Sequence, residues 1–450
     1  MKKRDRGITM LWAAIAVGLF IPLLTVQAAT RTWDGGGGDS SWINDDNWSD
    51  NTEPGPDDFV VIGGTAVVNY DRVSPLHFNS TAPIDINDTA TLNLTTGALS
   101  YISSTGNDSP ITVASGAVLN ISDGTHSIGG RQMMFSSGIM RVTGSDATIN
   151  MFQMPGFNGT FDFVFDAVGV SSLDYNSWMA GGAQGVTVDA SAYTGSSKNF
   201  TLIQTSDTAN GLINPLTGTI SVIPPSASWS STVTQVTGSK GNLTLTLLEP
   251  GTILYDDFRT NGLANNTIKR NSQWAGSSDW SWTSGTLENT NTTKGVGICF
   301  PVPAGITTEN ALEIDLGYAV ANGSTAVAMH MWGLKDVSSS STTEIMNPWG
   351  TAGMWYAGGG NLVQYNLKDG ATGYNSTPAT AAVQIPSDTG AGLSYSTTLK
   401  LGGLGSGLSK LSDYDYIAVG FQKHSYSPDL SIDEVSIRAL LPSGTVISIR

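Results

Sequence analysis

One five-residue pattern recurs four times in the first third of the chain: Ala66-Val-Val-Asn-Tyr70, Ala90-Thr-Leu-Asn-Leu94, Ala117-Val-Leu-Asn-Ile121 and Ala147-Thr-Ile-Asn-Met151. The copies are 24, 27 and 30 residues apart. Because side chains alternate along a strand, the first, third and fifth residues share one face and the asparagine lies on the other. Repeats of this length predict the coils of a right-handed β-solenoid. Four residues are then expected to stack as an amide ladder on one outer face: Asn69, Asn93, Asn120 and Asn150. The alternative is four unrelated strands in an Asn-rich chain.

Three tryptophans precede the repeat, in Thr32-Trp-Asp-Gly-Gly-Gly-Gly-Asp-Ser-Ser-Trp42 and in Asn47-Trp48. An open solenoid end exposes a sheet edge, so large apolar side chains are expected to cover it, with glycines allowing tight turns. The arrangement resembles the N-terminal cap of exported bacterial β-helix surface proteins of the autotransporter-associated or PEP-CTERM-linked kind. We therefore predict a cap and solenoid over residues 29–160. The alternative is that these tryptophans form a surface on which sugars stack.

Residues 161–250 keep the strand alternation but lose the repeat. Segments such as Phe161-Asp-Phe-Val-Phe165 and Leu243-Thr-Leu-Thr-Leu247 are separated by Gly-rich turns. They resemble the segment that follows the coils in the same exported family, which implies a closing β segment or a small β-sandwich. Glu249-Pro-Gly251 is the predicted linker into the last domain.

The last domain, residues 251–441, is predicted to begin with Leu254-Tyr-Asp-Asp-Phe258 and to end with Ser431-Ile-Asp-Glu-Val-Ser-Ile437. Both segments alternate apolar and polar residues as half-buried strands do. With short strand-like runs and many tryptophans between them, they resemble the first and last strands of a jelly-roll of the concanavalin A-like or carbohydrate-binding-module type. The predicted fold class is therefore all-β: a capped solenoid followed by a β-sandwich, with residues 442–450 as a tail.

Residues 1–28 are predicted to be a secretory signal, with a basic start, an apolar run from Ile8 to Val26 and a Val26-Gln-Ala28 cleavage site. An uncleaved membrane anchor is the alternative, and no membrane span is expected after the signal. The formal charge of the whole chain is −16. Removal of the signal makes the remainder more acidic, so nucleic acid and anionic lipid are not expected partners. A secreted or cell-surface location follows.

Aromatic residues of the last domain are the candidate ligand-binding groups. Sugar rings present apolar C–H faces that stack on indole, while amide and carboxylate groups bind the hydroxyls. A loop-like, glycine-rich segment holds two of these tryptophans, and two more share one face of a predicted strand. The predicted ligand-binding residues are Trp349, Trp355, Tyr356, Trp280 and Trp282. For any one tryptophan, burial in the core is the competing interpretation.

Leu312-Glu-Ile-Asp-Leu316 is the candidate catalytic segment. It resembles the catalytic strand of laminarinase-type glycoside hydrolases, which implies roles for Glu313 and Asp315. Retaining hydrolysis needs a second carboxyl group as acid and base, yet Gly317 and Tyr318 stand where that family has its glutamate. The alternative is an ordinary strand with an acidic solvated face. The lone Cys299 and four scattered histidines add no catalytic or zinc pattern.

Acidic residues at the two ends of the last domain are the candidate metal ligands. The resemblance to carbohydrate-binding sandwiches implies that a calcium ion pins the first strand to the last. The residues concerned are Asp256, Asp257, Asp433 and Glu434. Calcium takes six to eight oxygen ligands, so backbone carbonyls and water would complete the site. Strand alternation predicts that only one residue of each adjacent pair reaches the ion, and solvated acidic strand ends are the alternative.

These features together predict a non-catalytic surface protein that adheres to, or binds, extracellular polysaccharide. An extracellular glycan-active enzyme that uses the jelly-roll is the first alternative. A purely structural surface component is the second. The identity of the glycan is not encoded in any motif of the sequence.

Overall fold

The computed structural model describes residues 28–439 with gaps, of which the longest fall at 102–110, 303–310, 367–382 and 401–414. Residues 1–27 and 440–450, which hold most of the predicted signal and the tail, lie outside the described part of the chain. The described residues are nearly all in strands and turns. None of their helices is long and apolar enough to cross a membrane.

Among the residues that the structure describes, nineteen strands form one continuous sheet in the first half of the chain. Their bounds are β1 (Thr30–Thr32), β2 (Phe59–Ile62), β3 (Val67–Tyr70), β4 (Leu76–Phe78), β5 (Ile84–Ile86), β6 (Thr91–Leu94), β7 (Leu99–Tyr101), β8 (Ile111–Val113), β9 (Val118–Ile128), β10 (Met134–Met154), β11 (Gly156–Val164), β12 (Leu173–Met179), β13 (Gly185–Asp189), β14 (Lys198–Thr205), β15 (Leu212–Ile213), β16 (Ile220–Ile223), β17 (Ser230–Val236), β18 (Gly238–Ser239) and β19 (Asn242–Leu248), with a 3-10 turn at Asp45–Asn47.

The parallel pairing of these strands makes a β-solenoid with three faces. The first stack is β1, β2, β5, β8 and the beginning of β10 and β11. The second stack is β3, β6, β9, the middle of β10, the end of β11, β13 and β16. The third stack is β4, β7, the ends of β9 and β10, then β12 and β14. The solenoid prediction is therefore confirmed.

Each stack buries one row of apolar side chains. In the second stack Val68 faces Leu92, Leu92 faces Leu119, and the row continues through Met140 and Phe161. All five side chains are fully buried. This follows from strand alternation, because an in-register parallel stack sends every second residue of each coil to the same side. The inward rows of the three stacks form one core.

The predicted asparagine ladder forms for three of its four members. Asn93 Nδ2 donates to Asn69 Oδ1 at 2.9 Å, and Asn120 Nδ2 donates to Asn93 Oδ1 at 3.0 Å. The next coil places Arg141 in register with Asn120. Asn150 is not part of the ladder. It lies on the third stack beside Ser127, because the fourth copy of the sequence pattern begins one solenoid corner later than the first three.

The tryptophan cap is confirmed. Trp42 and Trp48 are fully buried, their ring centroids lie 4.8 Å apart, and Trp33 packs edge-on against Trp48. Trp48 Nε1 donates to the Trp42 carbonyl at 2.9 Å. Trp42 also packs against Tyr70 of the first coil. A stacking surface for sugars is excluded for Trp42 and Trp48, because neither ring is accessible.

Parallel pairing continues beyond residue 160, where the sequence predicted a closing segment. β13 and β16 extend the second stack, and antiparallel pairing appears where β14 pairs β19, β19 pairs β17 and β15 pairs β18. Phe200, Phe165 and Tyr193 pack edge-to-face over this end of the core. The antiparallel strands end the solenoid and carry polar side chains toward the second half of the chain.

In the described part of the second half, sixteen strands follow. Their bounds are β20 (Thr252–Asp256), β21 (Ala264–Asn265), β22 (Ile268–Lys269), β23 (Ala275–Gly276), β24 (Trp280–Thr283), β25 (Thr286–Asn289), β26 (Gly295–Pro301), β27 (Ala311–Val320), β28 (Val327–Asp336), β29 (Glu344–Gly350), β30 (Gly353–Tyr356), β31 (Leu362–Asn366), β32 (Val383–Ile385), β33 (Gly390–Lys400), β34 (Tyr416–Lys423) and β35 (Leu430–Ala439).

Two mostly antiparallel sheets account for most of these strands. The six-stranded sheet has the order β24-β25-β35-β27-β33, with β20 paired to β35, and the seven-stranded sheet is built around β26-β34-β28. Side chains from both sheets belong to one buried cluster. In it Trp274 stacks on Phe421, and the centroids of their rings lie 5.9 Å apart. The predicted pairing of the first and last segments is present, since Leu254 faces Ile437. The jelly-roll topology itself stays a prediction.

A buried histidine ties two coils of the solenoid together. The backbone N–H of Leu99 donates to His126 Nδ1 at 3.2 Å, and His126 Nε2 contacts the Asp123 carbonyl at 2.6 Å. The first bond needs an unprotonated Nδ1, so the ring is neutral in this arrangement. Burial lowers the pKa of His126, although the Asp123 carbonyl and carboxylate oppose that shift.

The ladder amides are expected to stabilise the solenoid as a coupled set. Asn93→Ala removes two hydrogen bonds and should lower the free energy of unfolding by about 1–3 kcal/mol. Asn120→Ala should act similarly, because Asn120 also accepts from Thr143 Oγ1 at 2.9 Å. The double variant should lose less than the sum, since the bond between the two residues is removed only once. Denaturant unfolding of the four proteins measures this coupling, and additive losses near zero would contradict it.

The free energy of unfolding should also fall as the pH is lowered, because His126 becomes protonated in the unfolded chain. A histidine whose folded pKa is lowered stabilises the fold above its ordinary value of 6.5, and this contribution is lost as the pH falls below that value. The slope is at most about 1.4 kcal/mol per pH unit. Unfolding midpoints of the protein and of His126→Gln between pH 7.5 and pH 5 give the comparison. Equal pH dependence of the two proteins would contradict the assignment.

Candidate functional site

The end of the solenoid is joined to the second half of the chain by polar contacts. Asn199 Nδ2 donates to Asp257 Oδ1 at 2.7 Å, and the hydroxyls of Ser197 and Thr252 lie 3.0 Å apart. The predicted linker is itself held, because the Ala439 N–H donates to the Gly251 carbonyl at 2.9 Å. Gly251 has φ +82°, and a Cβ there would meet the Ala439 carbonyl oxygen at 2.7 Å. The two halves of the chain are therefore joined by specific hydrogen bonds and close packing, and we call this region the junction.

A cleft of about 790 Å³ lies in this junction. One wall comes from the closing strands of the solenoid and the other from the six-stranded sheet. The residues that line it are Lys198, Asn199, Thr201, Gln204, Asn242, Tyr255, Asp257, Gly285, Thr286, Gly317, Gly392, Leu393, Asp433 and Glu434. Amide groups dominate the polar surface of the solenoid wall, and carboxylates dominate that of the sheet wall. A smaller cavity of about 370 Å³ adjoins it and is lined in part by Asp315 and Glu434.

A β-bulge presents two carboxylates to the cleft. Gly317 of β27 pairs with Glu434, but the next residue, Tyr318, pairs with Ile432, so Asp433 is the extra residue. Asp433 and Glu434 are both exposed on the outer side of β35, which breaks its alternation. Gly317 leaves room opposite them, because a Cβ at this position would force the Asp433 carboxylate to move. The alternation expected for this pair was therefore wrong, and the bulge is the reason.

The other predicted acidic pair does alternate. Asp256 is buried, and its oxygens accept from the Phe258 N–H and from Trp274 Nε1, both at 2.8 Å. Asp257 lines the cleft, where it binds Asn199. The structure thus brings Asp257, Asp433 and Glu434 to one cleft and directs Asp256 into the core.

The surroundings of Glu434 disfavour the ionised form of its carboxyl group. Loss of water in the cleft, followed by repulsion from Asp257 and Asp433, raises the pKa of Glu434. Lys198 on the opposite wall acts in the other direction but does not cancel the shift. The cleft is therefore a region of negative potential, to which a cation or a hydrogen-bond donor is attracted.

The predicted calcium site has no preformed ligand cluster. In the part of the chain that the structure describes, no group of three or more histidine, cysteine or acidic side chains has an arrangement that could hold a metal ion. Three of the four predicted ligands nevertheless line one cleft. Calcium binding there stays a prediction, and it would need ligands to approach one another on binding.

The candidate catalytic pair is divided between two environments. Glu313 accepts from Arg438 Nε at 3.0 Å, and the same guanidinium binds Glu249 at 2.7 Å. Glu313 therefore belongs to an ion-pair network beside the linker. Asp315 lies next to Glu434 in the smaller cavity. The structure does not place Glu313 in either cavity, so a paired catalytic role with Asp315 has no geometric support.

The predicted aromatic platform is also divided. Trp280 is 3% exposed and belongs to the core, so it cannot stack on a sugar, and its assignment as a ligand-binding residue was wrong. Trp282 is half-buried and packs against Phe258 with ring centroids 5.3 Å apart. Trp349 and Trp355 lie on β29 and β30, which pair as a hairpin, not in a loop. The side chains of Trp349, Trp355 and Tyr356 are outside what the structure describes.

Sequence reasoning missed the solenoid wall of the cleft. Lys198, Asn199, Gln204 and Asn242 are ordinary polar residues of alternating strands, and only the docking of the two halves brings them to a cavity. The other wall did carry a signal. Two adjacent acidic residues interrupt the alternation of β35, and a glycine interrupts that of β27, as a bulge opposite a small residue does.

Comparisons with known proteins add little to this geometry. No family model matches the chain, and the comparison with curated proteins found no match. One similar solved structure is the enzymatically active domain of tailspike protein 4 of bacteriophage CBA120, at 10% identity and a TM-score of 0.22, covering 86% of this chain and 54% of that one. Another is Trypanosoma rangeli sialidase in complex with sialic acid, at 7% identity and a TM-score of 0.17, covering 56% of this chain and 44% of that one. The chain spans about half the length of each. These likenesses are too distant to support a function for this chain.

Replacing Glu434 should relieve the repulsion in the cleft. A carboxyl whose folded pKa is raised destabilises the fold where it is ionised, above that pKa, and not below its ordinary value of 4.5. Glu434→Gln should therefore raise the free energy of unfolding at pH 7, by less than about 1 kcal/mol because solvent screens the charges. The gain should vanish near pH 4. Thermal unfolding at both pH values tests this, with Asp429→Asn, an exposed carboxylate just before β35, as the control.

Proposed function

We propose that the protein is a secreted or surface-attached protein that binds extracellular polysaccharide, and that the junction cleft is its binding site. The cleft itself is the observation that carries this proposal. It is large enough for several sugar rings. Its solenoid wall offers amides and its sheet wall offers carboxylates, and both kinds of group bind sugar hydroxyls. Tyr255 adds an aromatic ring to the lining.

The geometry favours recognition of a polar, uncharged ligand. Carboxylates accept hydrogen bonds from hydroxyl groups more strongly than neutral acceptors do. Asp257, Asp433 and Glu434 would repel uronate or sulfate groups, and the lone Lys198 does not balance them. Neutral glycans therefore fit better than acidic ones. The strongly acidic composition of the whole chain acts in the same direction.

A glycan-active enzyme is the second candidate. The observation in its favour is a cluster of carboxyl groups: Asp257 and Asp433 line the cleft with Glu434, and Asp315 lines the smaller cavity with it. Loss of water and repulsion from Asp257 and Asp433 raise the pKa of Glu434, which is the direction expected of a carboxyl group that donates a proton to a leaving-group oxygen. This assignment replaces Glu313, which is held by Arg438.

Two earlier predictions stay separate from this site. The prediction that Trp349, Trp355 and Tyr356 stack on sugars concerns the β29–β30 hairpin and not the cleft. The alternative that the protein is a purely structural surface component does not require a binding cleft. Signal cleavage and surface attachment likewise stay predictions. They concern the chain outside the described residues.

Retention by insoluble polysaccharide tests the proposed function. The full mature chain should sediment with at least one of cellulose, mannan, xylan and curdlan. The double variant Asp433→Asn/Glu434→Gln keeps the shape of the cleft but removes two charged acceptors, so retention should fall about tenfold or more. Asp429→Asn should bind like the unchanged protein.

Release of reducing sugar in the same samples separates the two candidates. Binding without release supports the binding protein, whereas release that Glu434→Gln abolishes supports the enzyme. Retention that is unchanged in the double variant would show that the cleft is not the site. Failure of all four polysaccharides to retain the folded chain would count against both candidates.

A further inference from the structure

The third stack of the solenoid presents a row of outward polar side chains that runs into the junction cleft. Ser127 is in register with Asn150, Asn150 with Asp174, and Asp174 with Gln204. Gln204 is paired in turn with Asn242 across the antiparallel strands. Gln204 and Asn242 both line the cleft. The row and the cleft are therefore one continuous polar surface.

The outward polar side chains of the second stack bind one another more extensively than those of the third stack. In the second stack the amides bind one another, and farther along Arg141 binds Asp162 at 2.7 Å. In the third stack, within the described residues, Ser127 and Asn150 are exposed and their side chains make no hydrogen bond. Farther along that row Gln204 Nε2 donates to Asp174 Oδ2 at 3.4 Å, and Asn242 Oδ1 accepts from Thr244 Oγ1 at 3.5 Å. The exposed side chains of Ser127 and Asn150 are thus available to a ligand, whereas Asp174 Oδ1 is buried.

We propose that this row, which we call the track, guides a linear neutral polysaccharide along the solenoid axis into the cleft. This rests on the proposed function of the cleft and extends it from a pocket to an elongated site. Neighbouring strands lie about 4.8 Å apart, so the four steps from Ser127 to Asn242 span about 19 Å. An evenly spaced row of hydroxyl and amide groups matches a polymer that presents hydroxyls at regular intervals.

The accompanying side chains support a polymer with little charge. Thr125 and Thr148 are exposed and in register beside Ser127 and Asn150, which widens the track with hydroxyl groups. Asp174 is the carboxylate among these residues, and no lysine or arginine is part of the row. A polyanion would therefore find no counter-charge along the track.

Binding as a function of chain length tests the track. Oligosaccharides of two to twelve residues, prepared from whichever of cellulose, mannan, xylan and curdlan retains the full chain, are titrated by calorimetry. Affinity should keep rising with length beyond the fragments that fill the cleft, and then level off. Ser127→Ala/Asn150→Ala should weaken the longest oligosaccharides about tenfold, which corresponds to two lost hydrogen bonds, and leave the shortest unchanged.

Ser221→Ala is the matched control, because Ser221 is an exposed outward residue of the second stack. It should bind every length normally, and thermal unfolding checks that all variants are folded. Affinity that levels off with fragments confined to the cleft, or a track variant that binds long chains normally, would overturn the track while the cleft remains the binding site. If no polysaccharide retains the chain, the proposed function fails and the track fails with it.

Discussion

In-register stacking of parallel strands is the constraint on which the rest of the structure depends. Each coil bonds its backbone to the coil before and after it, so a residue at one position along a strand sits above its counterpart in the next coil. Inward positions then form continuous apolar rows, and outward positions form continuous polar rows. The tryptophan cap is a consequence, because the first coil would otherwise expose the end of those apolar rows.

The two outward polar rows show how one backbone arrangement serves two purposes. Where neighbouring side chains can bind each other, as Asn69, Asn93 and Asn120 do, the row stabilises the stack. Where they are too short or too far apart, as with Ser127 and Asn150, the same spacing leaves a regular surface exposed. On the same backbone, the choice of side chain therefore decides whether an outward row stabilises the stack or stays available to bind a ligand.

The junction adds what neither half holds alone. The solenoid contributes amides and one lysine, and the six-stranded sheet contributes carboxylates, two of them placed side by side by the bulge opposite Gly317. Polar contacts and the constrained Gly251 hold the two walls together. Loss of water in the cleft and then repulsion from Asp257 and Asp433 raise the pKa of Glu434.

The sequence by itself determined the solenoid and its cap, because strand alternation and repeat length are local properties. The pairing of the first and last segments of the second half was implied only by the resemblance to carbohydrate-binding sandwiches, and the structure contains it. The sequence misplaced Asn150 because a corner of the solenoid shifted the fourth copy of the pattern to another stack. It also assigned Trp280 to a surface, since alternation does not tell which side of a strand is covered. Only the tertiary structure decided the cleft, because Asn199 and Asp257 are distant in sequence and meet only when the two halves dock.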